Sequence, residues 1–268
     1  MKKDTNTLQN ATTNSPSETE KPRSYRVQHI LDDLIYPQLD LKVCLSGPPE
    51  DRVGFLLWLG RAGCRFVSDP LKADLVIFTG GADVNPAMYG EKPIAETHYD
   101  VARDAEDNEL YTICRENKIP MLGICRGAQF LWVKKGGKLY QHVNNHNDGV
   151  HDIFVFGENK KYKASSVHHQ MCRTESIPGF KLLANCAVSD NRKADSVSWS
   201  GPSSDFEIYA FPQEAILGIQ GHPEYLGFPN YSEMCIRLIE QYIFNAPNTV
   251  YIDGRLRIAP VVVNLEKK

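Results

Sequence analysis

Apolar and polar positions in the first half of the chain follow two alternating patterns. Short, nearly continuous apolar runs are typical of buried strands, and stretches with apolar residues at helical spacing separate them. The predicted strands cover residues 41–45, 64–68, 73–79 and 120–125, and the predicted helices cover residues 51–62, 105–116 and 127–135. In the first helix, the side chains expected to face the core are Val53, Leu56, Leu57 and Leu59. Buried strands that alternate with helices predict a parallel sheet covered on both faces.

The second half consists of short strand-like runs separated by turn residues, which predict antiparallel additions to the sheet. These runs cover residues 151–156, 162–167, 180–189, 196–199 and 207–211. They are followed by a last central strand over 215–220, an amphipathic helix over 232–244 and a hairpin within 250–263. The predicted fold class is therefore α/β, a three-layer sandwich with a mostly parallel central sheet and antiparallel additions in the second half.

Local composition divides the chain into three parts. Residues 1–24 carry hardly any large apolar side chain, and we expect a disordered polar tail there. Residues 25–249 form one predicted domain, which holds every candidate catalytic residue described below. Residues 250–268 are a C-terminal extension that docks either on this domain or on a partner.

Overall composition narrows the functional classes. The 268 residues are 42% apolar, and 30 basic and 33 acidic residues give a formal charge of −3. This near balance predicts no binding to nucleic acid or to an anionic membrane, and favours a small-molecule substrate. Seven cysteines without a CxxC pair predict a reducing compartment, and no apolar run reaches the roughly 20 residues that span a bilayer. We expect a cytoplasmic protein that needs no cofactor.

Cys125 is the first candidate for chemistry. It lies at the carboxyl end of a predicted parallel strand and directly before a helix, where ligands bind in open α/β sheets. Gly123 and Gly127 supply the small residues that a nucleophile on a tight strand-to-helix turn requires. The helix N-terminus and a nearby histidine would favour the reactive thiolate. The alternative is a buried structural cysteine, which is the commonest role of this residue type.

His222 and Glu224 are the candidates for base and orienting carboxylate. They lie two residues apart, so an extended backbone places both side chains on one side, where the carboxylate can hold the imidazole. Without the cysteine, this His-Pro-Glu sequence would indicate an ordinary turn. Backbone N–H groups of Arg126 and of the turn at Gly81 and Ala82 are available as an oxyanion hole.

Four sequence motifs carry a resemblance to a known family. Residues 120–129 (PMLGICRGAQ) and 218–224 (GIQGHPE) resemble the class I glutamine amidotransferase superfamily. Within it, residues 79–86 (TGGADVNP) and 166–170 (SVHHQ) look like the γ-glutamyl-γ-aminobutyrate hydrolase branch, which is peptidase C26-like.

This resemblance implies a flavodoxin-like fold and a Cys125-His222-Glu224 triad that forms a γ-glutamyl thioester on the cysteine. It also implies a substrate pocket that is lined by Gly80, Gln129, Ser166, His168, His169 and Gln170. Gly221 departs from the pattern, because these hydrolases usually carry a bulky aromatic residue there. A wider pocket or a looser histidine strand would follow.

Several alternatives stay open from the sequence. The chain is a free-standing γ-glutamyl hydrolase, a glutaminase subunit that supplies ammonia to a separate synthetase, or a non-catalytic binding protein. A homodimer stays open too. The Arg126 side chain either contacts the substrate carboxylate or has a structural role. The spacing of His142, His146, Asp148 and His151 permits a metal site, but the asparagine-rich sequence between them indicates a loop, and we predict no metal.

Overall fold

The computed structural model describes residues 38–48, 52–174, 177–201 and 204–259. The predicted tail at 1–24 and the last residues of the extension, 260–268, lie outside the described residues. The boundaries of the three predicted parts therefore stay predictions. No helix within the described ranges has both the length and the apolar content needed to cross a bilayer.

In chain order, the first half contains β1 (Lys42–Leu45), α1 (Arg52–Arg61), β2 (Arg65–Phe66), β3 (Leu75–Phe78), α2 (Val101–Glu116), β4 (Met121–Ile124) and α3 (Arg126–Lys134). The second half contains β5 (Leu139–Tyr140), β6 (His142–Val143), β7 (Gly149–Val155), β8 (Lys160–Ser166), β9 (Met171–Cys172), β10 (Lys181–Cys186), β11 (Asn191–Ala194), β12 (Val197–Ser200), β13 (Asp205–Phe211), β14 (Ile216–Ile219), α4 (Pro229–Ile239), β15 (Thr249–Ile252) and β16 (Arg255–Ile258).

The largest sheet of the described residues has nine strands in the order β2-β1-β3-β4-β14-β13-β10-β7-β8. The strands from β2 to β14 are parallel to one another. The other four pair antiparallel, so antiparallel strands of the second half extend a parallel sheet. The predicted α/β fold class and its antiparallel additions are confirmed. Strands β5, β6, β9 and β11 were not predicted, because none of them lies within a longer apolar or alternating run.

Helices cover both faces of the parallel half. Cys44, Val76 and Met121 share one core cluster with α3 residues such as Phe130. Side chains alternate along a strand, so their neighbours point to the opposite face, where α1 and α4 meet. There the Trp58 indole N–H donates a hydrogen bond to a backbone carbonyl of α4 at 3.3 Å.

The buried side of α1 differs from the predicted one. Phe55, Trp58 and Leu59 are buried, whereas Val53, Leu56 and Leu57 are 60%, 45% and 48% exposed. Only Leu59 was assigned to the correct face. The aromatic pair at positions i and i+3 packs inward, and the three exposed residues share the opposite side of the helix.

The C-terminal segment folds back on its own domain. Strands β15 and β16 form an antiparallel hairpin, with Asp253 and Gly254 at positive φ in the turn. The Leu256 backbone N–H donates to Asp74 at 2.8 Å, and the Ile258 N–H donates to the Lys118 carbonyl at 2.8 Å. The described part of the extension therefore docks on the chain itself.

Helix α3 lies very close to β3 and β4. A Cβ atom on Gly127 would overlap the Phe78 carbonyl, and one on Gly123 would overlap the backbone of Gly127. Backbone atoms on both sides leave no room for adjustment. These two glycines therefore fix how near the helix that follows Cys125 comes to the sheet.

We expect Gly127→Ala to lower the free energy of unfolding by at least about 2 kcal/mol, because the methyl group must displace backbone. Gly60→Ala is the matched control, since Gly60 lies within α1 and its Cβ would meet no atom within 4 Å. That substitution should raise stability by up to about 1 kcal/mol through helix propensity. Urea unfolding of both variants measures the two changes in the free energy of unfolding. Equal changes would contradict the close packing of α3 on the sheet.

Candidate active site

Cys125 lies in the turn between β4 and α3 in a strained conformation. Its φ of 52° and ψ of −111° fall outside the regions that non-glycine residues favour. The Cys125 N–H donates to the Ile219 carbonyl at 2.8 Å, which ties the turn to the end of β14. The side chain is buried with 7% of the residue exposed, and it lines a cleft of about 280 Å³.

His222 follows the end of β14 and is held on several sides. Its Nδ1 lies 2.7 Å from Glu224 Oε1, a distance at which Nδ1–H donates to the carboxylate. Its backbone N–H donates to Ser165 Oγ at 2.6 Å, and the Tyr225 ring stacks on the imidazole with ring centroids 4.5 Å apart. A Cβ on Gly80 would lie 3.0 Å from His222 Cε1, so glycine makes room for the ring.

The pKa of His222 is raised to about 11 by its neighbours. Burial alone would lower this pKa, but the charge and hydrogen bond of Cys125 outweigh burial, and Glu224 adds a hydrogen bond and a charge of its own. The imidazole therefore contacts the cysteine on one side and the carboxylate on the other. At neutral pH it holds both protons.

The three residues predicted for an oxyanion hole border the same cleft as Cys125. Gly81, Ala82 and Arg126 all line it, and Gly81 has a φ of 140° that favours glycine. Gly81 and Gly80 also line a neighbouring cleft of about 360 Å³, together with His222 and Glu224. Gly81 thus borders both clefts.

Most residues predicted for the substrate pocket lie on the wall of the Cys125 cleft, namely Gln129, His168, His169 and Gln170. The Gln170 side-chain amide is buried, and within the described part of the chain neither its nitrogen nor its oxygen has a hydrogen-bond partner. Ser166 does not reach the cleft. It is buried, and its hydroxyl donates to the His146 carbonyl at 2.7 Å.

The pKa values of the two adjacent histidines shift in opposite directions because their surroundings differ. Burial lowers the pKa of His168 to about 3, and its Nδ1 lies 3.0 Å from the Gln170 carbonyl, so the ring is neutral and donates there. His169 Nε2 lies 3.1 Å from Asp83 Oδ1, and this hydrogen bond raises the pKa of His169. One wall of the cleft thus offers a neutral ring beside a histidine that is hydrogen-bonded to a carboxylate.

The sequence analysis did not single out several residues near Cys125. Asp83, His98 and Val167 also line the cleft, and Gln220 Nε2 lies 3.8 Å from Cys125 Sγ. Gln220 could have been found, because it lies two residues before His222 at the end of the same strand. Asp83 follows the turn at Gly80 and Gly81 closely, but nothing in its neighbours indicates a hydrogen bond with His169, which lies so far along the chain.

Arg126 has a structural side chain rather than a contact with a substrate carboxylate. It is 1% exposed and forms ion pairs with Asp104 and Asp107. Arg103 bonds the same Asp107 at 3.1 Å and donates to Thr79 Oγ1 at 3.0 Å. Two arginines and two aspartates therefore form a buried cluster that connects helices α2 and α3 with the loop after β3.

The glycine at 221 does not widen the pocket. A Cβ atom there would lie 2.6 Å from the Tyr231 hydroxyl and 3.0 Å from the Ser165 carbonyl. Tyr231 of α4 fills the space beside the glycine and is 1% exposed. A tyrosine of the following helix thus occupies the space beside Gly221.

Comparison with known proteins agrees with this geometry. A sequence profile of the Peptidase C26 family matches residues 70–224. The chain belongs to the Peptidase C26 family. A protein of Schizosaccharomyces pombe that is provisionally named a glutamine amidotransferase is 32% identical over 206 residues, which cover 70% of this chain and 79% of that protein. The predicted family is confirmed.

Two further similarities concern a named hydrolase and the fold. The γ-glutamyl-CDP-amidate hydrolase of Campylobacter jejuni is 28% identical over 56% of this chain and 61% of its own length. A solved structure from Thermoplasma acidophilum, provisionally named as one subunit of a GMP synthase, has a TM-score of 0.52, is 16% identical and covers 75% of this chain and 95% of that one. This Peptidase C26 member is an enzyme, an amide hydrolase of the glutamine amidotransferase type. The alternative of a non-catalytic binding protein is wrong.

We expect Asp107→Asn to lower the free energy of unfolding by about 3–5 kcal/mol, because it leaves two buried guanidinium groups without a full counter-charge. The control is Asp152→Asn, since Asp152 pairs with Lys163 on the surface, where both side chains are about half exposed or more. That change should cost less than about 1 kcal/mol. Urea unfolding compares the two, and a loss at Asp107 no larger than at Asp152 would argue against a structural cluster.

Proposed function

We propose that this Peptidase C26 enzyme hydrolyses a γ-glutamyl amide, either glutamine or a γ-glutamyl amine, through a thioester on Cys125. The observation that carries the proposal is the position of His222 between Cys125 and Glu224, with the raised pKa that results. An imidazolium beside the sulfur favours the thiolate, which is the attacking form. The name of the Campylobacter jejuni relative supports the γ-glutamyl group.

In the proposed reaction, Cys125 Sγ attacks the γ-carbonyl carbon. The oxygen becomes negative and accepts hydrogen bonds from backbone N–H groups of Arg126 and of Gly81 or Ala82, each worth about 3 kcal/mol in the transition state. The C–N bond then breaks as His222 gives its proton to the leaving nitrogen, and ammonia or an amine departs. The γ-glutamyl group stays on the sulfur.

Water completes the proposed cycle. His222, now neutral, takes a proton from the water that attacks the thioester carbonyl, and the C–S bond breaks to release glutamate. Glu224 accepts the Nδ1–H bond throughout and stabilises each imidazolium that forms. Gln129, His168, His169 and Gln170 would hold the glutamyl group. The unpartnered Gln170 amide is the best placed of them to bond the substrate.

A second candidate is a glutaminase subunit that passes ammonia to a separate synthetase. The exposed side of α1, formed by Val53, Leu56 and Leu57, is the observation that favours it. This apolar surface lies on the helix whose Gly54 and Phe55 line the His222 cleft. A free-standing hydrolase would hydrolyse its substrate without a partner. A glutaminase subunit should instead hydrolyse glutamine several-fold faster when its synthetase is added.

Cys125→Ala should lower γ-glutamyl hydrolysis by about 10⁴-fold or more, because the nucleophile is removed. The assay is release of ammonia or amine from glutamine and a panel of γ-glutamyl amines. A glutamine-mimicking electrophile should also label the unchanged protein once, at Cys125, as read by peptide mass spectrometry. Cys64→Ala is the control, because Cys64 has the same 7% exposure and lies at the sheet edge. If the unchanged protein shows no turnover and no labelling at Cys125, the proposal is wrong.

Glu224→Gln should move the alkaline decline of kcat/KM to lower pH. The reaction needs the His222 proton, which is present below the pKa of about 11 and is lost above it. The Glu224 charge raises the pKa of His222 against the effect of burial. Without this charge the pKa of His222 falls, and kcat/KM begins to decline at a lower pH. Glu233→Gln is the control, since Glu233 pairs with Arg237 in α4. A decline at the same pH in all three proteins would contradict the role of Glu224.

A further inference from the structure

A second cluster of reactive side chains lies behind the cleft, in the antiparallel half of the sheet. His151 belongs to β7, Cys186 to β10 and Glu207 to β13, which are neighbouring strands. His146 joins them from the segment between β6 and β7. One possible ligand atom from each of the four lies within 4.8 Å of those from the others.

The Glu207 carboxylate is at the centre of this cluster. Its Oε1 lies 2.9 Å from His151 Nε2, 3.2 Å from Cys186 Sγ and 3.8 Å from His146 Nδ1. The register of β10 and β13 shifts here, because Asn185 faces Phe206 while Ala184 faces Ile208. Glu207 is therefore the extra residue of a β-bulge, a feature that redirects side chains near sites.

Several polar atoms of the cluster are buried without a hydrogen bond. Among the described residues, His146 Nδ1, His151 Nδ1 and Glu207 Oε2 have no such partner. The side chains of His146 and Glu207 are fully buried. Buried polar groups are normally paired, so three orphaned atoms on residues of one cluster indicate a missing partner.

A carboxylate outside the cluster fixes the orientation of His146. Asp205 Oδ2 lies 3.0 Å from His146 Nε2, and Asp205 also accepts a hydrogen bond from the Ser189 hydroxyl at 2.6 Å. If Nε2 carries the proton, the lone pair of Nδ1 points toward Glu207. This arrangement of carboxylate, imidazole and open nitrogen is the one that histidine ligands of metals usually have.

We propose that His146, His151, Cys186 and Glu207 bind one divalent transition-metal ion, with Zn²⁺ favoured by the ligand chemistry. One thiolate, one carboxylate and two neutral imidazoles suit this ion and balance its charge. With four protein ligands the site is closed, so its role is structural. The sequence analysis grouped His146 and His151 with His142 and Asp148, but His142 packs against His169 instead and Asp148 is exposed.

The ion would stabilise one wall of the cleft. The His146 ring lies 4.8 Å from the His168 ring, and His168 in turn donates to the backbone of Gln170. Both His168 and Gln170 line the Cys125 cleft. Metal binding would thus fix three adjacent strands and, through His146, the segment that carries these two residues.

Metal content of the full chain tests the proposal. After incubation with excess Zn²⁺ and desalting, elemental analysis should find about one Zn²⁺ per chain. Cys186→Ser and Glu207→Gln should retain less than about a tenth of this, and Asp205→Asn should bind about 10–100-fold more weakly in a chelator competition. Cys172→Ser is the matched control, because Cys172 is also buried but lies on β9, outside the cluster. It should keep the full metal content.

Cobalt gives a readout that does not depend on variants of the cluster folding. Co²⁺ bound to Cys125→Ala protein should show a thiolate charge-transfer band and the intense visible bands of four-coordination, which cannot then come from Cys125. Less than about a tenth of an ion per chain in the unchanged protein, or Co²⁺ spectra without a thiolate band, would overturn the proposal. Loss of metal in Cys172→Ser that equals the loss in Cys186→Ser would overturn it too.

Discussion

Backbone atoms of α3 lie so close to β3 and β4 that two positions exclude any side chain. Gly123 and Gly127 flank Cys125 symmetrically, and each would overlap main-chain atoms if it carried a Cβ. The chain must therefore turn sharply from strand to helix, and it does so at Cys125 with a positive φ. Strain at the cysteine is thus a consequence of how closely the helix packs on the sheet, and packing keeps it in place.

A cluster of buried charged side chains also holds the turn at Cys125. Arg126 is the first residue of α3, and its two aspartate partners lie on α2, which packs beside it. Arg103 of that helix reaches the loop after β3. Burying four charges gains little stability over an apolar core of the same shape. Their ion pairs and hydrogen bonds instead connect the cysteine turn with the loop that carries Gly80 and Gly81.

Features of the fold and the site could be predicted from the sequence where they depend on residues that are close together along the chain. The buried strands and the elbow at Cys125 depend on a few adjacent residues, so their pattern is visible in the sequence. Helix α1 was oriented wrongly, because six of its seven residues from Val53 to Leu59 are apolar and its periodicity is therefore ambiguous. The group of His146, Cys186 and Glu207 was not found at all, since strand pairing brings together residues that are 21 to 61 positions apart.

Strand β14 connects the two halves of the site. On one edge it pairs with β4 in parallel, so that Ile219 faces Ile124 and the residues that follow it lie beside Cys125. On the other edge it pairs with β13, and the Gln220 N–H donates to the Glu207 carbonyl at 2.8 Å. Gln220 in turn places its amide near Cys125 Sγ. A single residue, Gln220, therefore connects the bulge around Glu207 with the cysteine.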